Sequence, residues 1–203
     1  MNHSDVMGIR NGADVLFRQF FAMFNVYGFY FVGFIVMLAM FVSYYFFSRA
    51  PEPYSRFRPA VFVFMIIESG LYALMMYILV QKIGQYYLIN GQAASKLSMI
   101  ALALGAGVYE EFIFRVVMTG GLLFFLKDLV RLQPITATVI AVLVSSAVFA
   151  FFHYLGPMGE VFDWTSFTIR LAAGIFLALV FALRGYGITA YTHTIYDFLV
   201  ILS

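Results

Sequence analysis

The sequence contains no cysteine and few charged residues, and each shortage excludes a class of protein. Without cysteine among its 203 residues, the chain has no disulfides, no thiolate metal ligands and no cysteine nucleophile. Charged residues make up 11% of it, whereas a soluble domain carries roughly 25%. The formal net charge is only +2 and no basic run occurs, which argues against a nucleic-acid partner. We also expect no cleavable signal peptide, because the first long apolar run starts late and far exceeds a signal's apolar core.

Apolar residues are what the sequence has in excess. They make up 64% of the chain, with 20% aromatic residues, and the mean hydropathy is +0.94. This composition predicts an all-α, multi-pass transmembrane helix bundle, which we expect in a bacterial or archaeal cell membrane. Runs of about 20 apolar residues cross the hydrocarbon core, and the sequence has about six such runs. The predicted spans are 26–47, 60–80, 97–126, 135–154, 164–183 and 188–203. A short aromatic segment before them, 15–24, is predicted as an interfacial helix.

Three charged residues interrupt the predicted span 97–126, and they are its only charges: Glu110, Glu111 and Arg115. Ionisable groups at membrane depth cost several kcal/mol unless they are paired or hydrated, so they indicate a functional site. Glu111 and Arg115 stand one helical turn apart in the favourable acid-before-base order, which predicts an ion pair. Glu110 points about 100° away, toward a different neighbour.

Two further polar groups lie in later spans. His153 ends the predicted span 135–154, and His193 and Asp197 share one face of the last span at i, i+4 spacing. Counted along the helices at about 1.5 Å per residue, Glu110 and His153 both lie some 25–30 Å from their shared loop, so they are level. His193 fits less well, because it lies only about 9 Å from the turn that precedes its span. Counted from the same side, His193 would be much shallower than His153, unless the Arg184-Gly-Tyr-Gly187 turn is recessed into the bundle or the predicted span ends are misplaced.

A carboxylate with two histidines suggests hydrolysis by activated water. A carboxylate and an imidazole can deprotonate a water held between them, and a second imidazole can stabilise the oxyanion of a tetrahedral intermediate. Serine and threonine nucleophiles have no evident base. Two Glu and two His are also adequate ligands for zinc or iron, although neither an HExxH nor a Glu-xx-His pair is present. We therefore expect no cofactor and no metal, and keep zinc as a minority alternative.

Three motifs occur in order on separate predicted spans: Glu110-Glu111-Phe-Ile-Phe-Arg115, Phe149-xxx-His153 and His193-xxx-Asp197. Together they resemble the motifs of the CAAX-protease and bacteriocin-processing family. This family is also called Abi or type II CAAX prenyl endopeptidase-like, and its members are intramembrane glutamic endopeptidases. The resemblance covers residues from about 97 to 203. It divides the chain into an N-terminal region, 1–96, with two spans, and a catalytic core, 97–203, with four, within one integral-membrane unit.

The resemblance also implies a role for each motif residue. Glu110 and His153 would activate the hydrolytic water, and His193 would lie on the oxyanion side together with the residue at 197. The remaining motif residues would support them: Glu111 and Arg115 would hold the local helix geometry, and Phe149 would pack behind His153. The best-known prenyl-processing branch has Asn where this chain has Asp197. A carboxylate donates a hydrogen bond only when protonated, so orienting His193 is the expected role of Asp197.

The implied substrate is a membrane-associated peptide or protein in contact with the lipid bilayer. Two alternatives use the same buried groups without proteolysis: a non-catalytic immunity or scaffold protein, and a transporter that relies on buried carboxylates. Glu68 and Arg170 are single charges in two other spans. We expect them to pair with each other or to reach the membrane surface, rather than to take part in catalysis.

Overall fold

The structure is a computed structural model that describes residues 59–83, 103–155 and 160–202. Every regular element within these ranges is a helix, which confirms the all-α class for the described part of the chain. Helix α1 is Pro59–Ile83, α2 runs over 103–129, α3 is Pro134–Phe152, α4 is Trp164–Arg184 and α5 is Tyr186–Leu202. The predicted interfacial helix 15–24 and the predicted span 26–47 lie outside the described residues.

Three helices of the described part, α1, α3 and α4, are long and apolar enough to cross a membrane. This is fewer than the six spans that the sequence predicts. Helix α5 has only 17 residues, and α2 is divided into short segments of different helical type. Six spans for the whole chain therefore stays a prediction.

Helix α2 is largely π-helical. Its π-helical stretches are Ala106–Glu110, Phe112–Thr119 and Phe125–Leu129, and the residues that join them keep right-handed helical conformation. The length of the predicted span 97–126 suggests that the helix overshoots the bilayer, tilts or breaks at a glycine. The described part does not break at its glycines. Its wider turns instead rise less per residue, and such turns are frequent at functional sites.

Helix α5 is the centre of the bundle. It contacts α1, α2 and α4, while α3 packs against α2 and α4. Side chains on all sides of its first turns are buried, from Ile188 to Thr194, with Tyr191 as the exception. The main apolar cluster joins α1, α4 and α5. The outer faces of α1, α3 and α4 expose large apolar side chains, as expected of helices that face lipid.

A single glycine, Gly185, connects α4 to α5. Its φ of +82° suits glycine, and its amide donates to Phe181 O over 2.9 Å. This junction lies level with the middle of α1, because Arg184 pairs with Glu68, nine residues into that helix (Nη2 to Oε2, 2.8 Å). The turn is therefore recessed by about 13 Å relative to the start of α1. Because the turn is recessed, His193 lies deeper in the bundle than its distance of about 9 Å from the turn suggests.

The expected pairing of Glu68 with Arg170 is wrong. Glu68 binds Arg184, and Arg170 binds Glu160 instead (Nη2 to Oε1, 2.6 Å). The physical reason is distance along α4, since Arg170 lies fourteen residues before Arg184, about 21 Å away along the helix axis. The recessed turn places Arg184, and not Arg170, beside Glu68.

At Gly107 the helices α2 and α5 lie close together, and we predict that Gly107→Ala separates them. A methyl group at this position would overlap Thr194 Oγ1 and lie 2.9 Å from both Ala190 O and Thr194 N. Because two of these neighbours are backbone atoms, the helices have to move, which costs about 1–3 kcal/mol. A lower midpoint of thermal unfolding in detergent would show this cost.

Gly105→Ala is the matched control, since nothing lies within 4 Å of a methyl group placed there. Alanine favours a helix over glycine by up to about 1 kcal/mol, so this variant should unfold at the wild-type temperature or above. Equal loss of stability in both variants would show that the close approach at Gly107 is not important.

Candidate active site

A cavity of about 240 Å³ lies inside the bundle, between α1, α3, α4 and α5. Its walls are apolar except for six side chains that can donate or accept hydrogen bonds: His153, Ser166, Arg170, His193, Tyr196 and Asp197. The volume is sufficient for several water molecules, and the six groups could hold them. The cavity is therefore a polar compartment within an otherwise apolar bundle.

Glu111 forms a buried network that joins α2 to α5. Its carboxylate pairs with Arg115 on its own helix (Oε2 to Nε, 2.8 Å) and contacts His193 on α5 (Oε1 to Nδ1, 2.9 Å). Both Glu111 and Arg115 have 0% of their surface exposed. The i, i+4 ion pair that the sequence predicts is thus present. The sequence does not predict the contact with His193, through which Glu111 connects α2 to α5.

His193 lies between two carboxylates. Its Nδ1 donates to Glu111, and its Nε2 lies 3.7 Å from Asp197 Oδ1, which is too long for a hydrogen bond. With Nδ1 held by Glu111, the opposite edge of the ring faces Asp197 and the cavity. His193 is therefore fixed in orientation while Nε2 remains close to any molecule in the cavity.

His153 lies just past the end of α3, and its orientation is set by its own helix. Its Nδ1 lies 2.9 Å from Phe149 O. Because a carbonyl only accepts hydrogen bonds, Nδ1 carries the proton, and in the neutral ring Nε2 has the free lone pair. The hydrogen bond thus selects the tautomer in which Nε2 can accept a proton.

Phe149 packs against several of these polar groups. Its ring centroid lies 5.0 Å from that of His153 and 6.3 Å from that of His193, with both rings edge-on. The guanidinium carbon of Arg115 lies 4.9 Å from the same centroid, within range of a cation–π interaction. One aromatic ring therefore packs against the two histidines and the buried arginine.

Glu110 is the last residue of the first π-helical stretch of α2, and only 7% of its surface is exposed. Its charge interacts with those of His193 and Asp197. It is therefore near His193 and Asp197 on α5, although it is not among the side chains that line the cavity. No cluster of three or more His, Asp and Glu side chains with the geometry of a metal site occurs among the residues that the structure describes.

Sequence reasoning did not assign Ser166, Arg170 and Tyr196 to this site. Arg170 carried a signal, because a lone cation in an apolar span has a functional partner by default. Ser166 lies one turn before it on the same face. Tyr196 is one of 14 tyrosines, and nothing in the sequence separates it from the others.

A comparison with protein families agrees with these motifs. Residues 92–199, more than half of the chain and all three motifs, match the family model of the Rce1-like type II CAAX prenyl endopeptidases. The chain belongs to this family. It is therefore a CAAX protease-type endopeptidase and a membrane protein. Neither a search of curated proteins nor a search of solved structures found a match to the chain.

Proposed function

We propose that this CAAX protease homologue hydrolyses a peptide bond of a membrane-associated peptide or protein inside the cavity, using water activated by Glu110 and His153. The observation that supports this most is the cavity itself. His153 from the end of α3 and His193 with Asp197 from α5 line one small polar space in an apolar bundle. Burying polar groups in such apolar surroundings costs free energy, and a role in hydrolysis would explain why these groups are present.

Water activation requires a base with a free lone pair. In His153 the hydrogen bond from Nδ1 to Phe149 O leaves Nε2 basic. Its proposed partner is Glu110, a buried carboxylate on α2, as the motif resemblance implies. A proton passes from the water to this pair while the water oxygen bonds to the carbonyl carbon of the substrate. The same proton then goes to the leaving nitrogen as the C–N bond breaks, so no acyl-enzyme forms.

The oxyanion of the tetrahedral intermediate requires a donor on the opposite side. His193 is suited to this role, because Glu111 fixes its Nδ1 and its Nε2 edge faces the cavity. With protons on both nitrogens, the ring is an imidazolium, and its Nε2 donates to the oxyanion at the moment the charge develops. Asp197 lies 3.7 Å from Nε2, so its charge can act on the ring without occupying that nitrogen.

The apolar outer faces of the bundle suggest the class of substrate. Helices α1, α3 and α4 expose large apolar side chains, so we propose a multi-pass protein whose substrate reaches the cavity from the bilayer. A lipid-associated or membrane-anchored peptide meets this condition. The charge of the chain gives no reason to expect nucleic acid as a partner.

Comparative proteomics of membrane fractions tests the proposal. Cells that contain the Glu110→Gln variant should accumulate intact substrate that wild-type cells cleave, because the amide cannot accept the proton from water. Cleavage that persists after chelator treatment would exclude a zinc-dependent version of the reaction. Identical proteomes, with ion flux through the protein in proteoliposomes, would contradict proteolysis and favour the transporter.

A further inference from the structure

Arg170 is a charged group of the cavity that the proposed reaction does not use. It lies in α4 and lines the same space as His153, His193 and Asp197. Because His153 lines this space too, the guanidinium is near the proposed site of water activation. A permanent cation beside a peptide-cleaving site needs a negative partner, and at present that partner is Glu160.

The guanidinium is held in place by groups other than Glu160. Nη1 donates to Ser166 Oγ over 2.8 Å, one helical turn earlier on α4. The guanidinium carbon also lies 5.3 Å from the ring centroid of Tyr154. These two contacts fix the plane of the arginine, so its orientation does not depend on the ion pair. A pre-oriented guanidinium matches the geometry of a carboxylate.

Glu160, in contrast, is replaceable. Only its Oε1 contacts Arg170 Nη2, at 2.6 Å, and its side chain is 58% exposed against 21% for Arg170. Accessible ion pairs of this kind contribute little to stability, so exchanging one carboxylate for another costs little. A carboxylate that approached from the cavity could contact the same guanidinium in the stronger two-point geometry.

We propose that Arg170 binds a carboxylate of the substrate, which takes the place of Glu160. This inference rests on the proposed function, because it concerns which peptides reach the catalytic groups. The enzyme then prefers peptides with a carboxylate close to the scissile bond. A free C-terminus and an acidic side chain supply the same chemistry, and the experiment separates them.

The test uses the full chain in detergent and three pools of N-palmitoylated random heptapeptides. One pool ends in a free carboxylate, the second in a C-terminal amide, and the third in a C-terminal amide with glutamate as the last residue. Acidic residues are left out of the random positions. We expect kcat/KM for the plain amide pool to be at least about tenfold lower than for the free-acid pool, since hydrogen bonds between ionised groups are worth this much or more. The glutamate pool shows whether a side-chain carboxylate suffices.

Substitutions test whether Arg170 causes the preference for the free-acid pool. Arg170→Gln should cleave the acid and amide pools at equal rates, and Arg170→Lys should recover part of the preference. Arg184→Gln is the matched control, because Arg184 is also ion-paired on α4 but lies at its far end. It should keep the wild-type preference. Glu160→Gln should lower KM for the free-acid pool, because a competing carboxylate is gone.

Each outcome is decisive. If Arg170 is only a structural contact, Arg170→Gln lowers activity on all pools alike, and the proposal is wrong. If wild type cleaves acid and amide pools equally, the proposal is wrong although the endopeptidase function stands. If wild type cleaves no pool at all, the function on which the inference rests is itself contradicted. Should Arg170→Gln fail to fold, the wild-type preference and the Glu160→Gln result still decide.

Discussion

His153→Ala is expected to lower kcat/KM for peptide cleavage by about 10²–10⁴-fold, the usual contribution of a general acid–base group. The loss should appear in kcat, since the side chain acts on water and not on substrate binding. The physical reason is the fixed tautomer: Nδ1 donates to Phe149 O, which leaves Nε2 as the only basic nitrogen of that ring. Cleavage assays on the purified protein, with thermal unfolding in parallel, measure both effects.

His153→Asn separates the chemistry from the packing. The asparagine amide can still donate to Phe149 O, but it has no nitrogen that accepts a proton. This variant should unfold close to the wild-type temperature and be as inactive as His153→Ala. Substantial activity in the asparagine variant would show that His153 positions the end of α3 rather than acting as a base.

Glu111→Gln is expected to cause the largest loss of stability. The substitution keeps the shape of the side chain but removes the charge that faces Arg115 and His193. Arg115 is fully buried, and its guanidinium would lose the carboxylate with which it pairs. Removing one partner of a buried ion pair typically costs about 3–5 kcal/mol. We expect a large drop in the unfolding midpoint, and loss of cleavage as His193 is released.

Glu68→Gln serves as the control for this prediction. Glu68 is also one half of a Glu–Arg pair, but its partner Arg184 ends α4 and is accessible. An accessible guanidinium can turn to water or lipid headgroups when its partner is lost. The unfolding midpoint should therefore change much less than in Glu111→Gln. Equal changes in the two variants would contradict the importance of the buried network.

Local spacing made part of the site predictable. The Glu111–Arg115 pair follows from helical geometry alone, because residues four apart share a face whatever the rest of the chain does. The contact between Glu111 and His193 joins residues 82 positions apart, and local spacing does not contain it. It depends on the depth of the α4–α5 junction, which lies level with Glu68 on α1.

The same junction explains the mismatch in the depth of His193 and the wrong pairing of Glu68. Counting residues from a turn gives the depth of a side chain in the membrane only if that turn lies at the membrane surface. The turn at Gly185 is instead recessed relative to the start of α1. The expected Glu68–Arg170 pair failed for this reason. The π-helical form of α2 was also beyond sequence reasoning, since an apolar run with three charges has no periodicity that distinguishes wide turns from α-helical ones.

The most direct test of the account is a double-mutant cycle on kcat/KM with wild type, Glu110→Gln, His153→Asn and the double variant. If both groups act on one water, removing either destroys the same step, and the double variant should be about as inactive as each single variant. If the double variant instead lowers kcat/KM by the product of the two single-variant factors, Glu110 and His153 act independently. That result would contradict water activation by the pair.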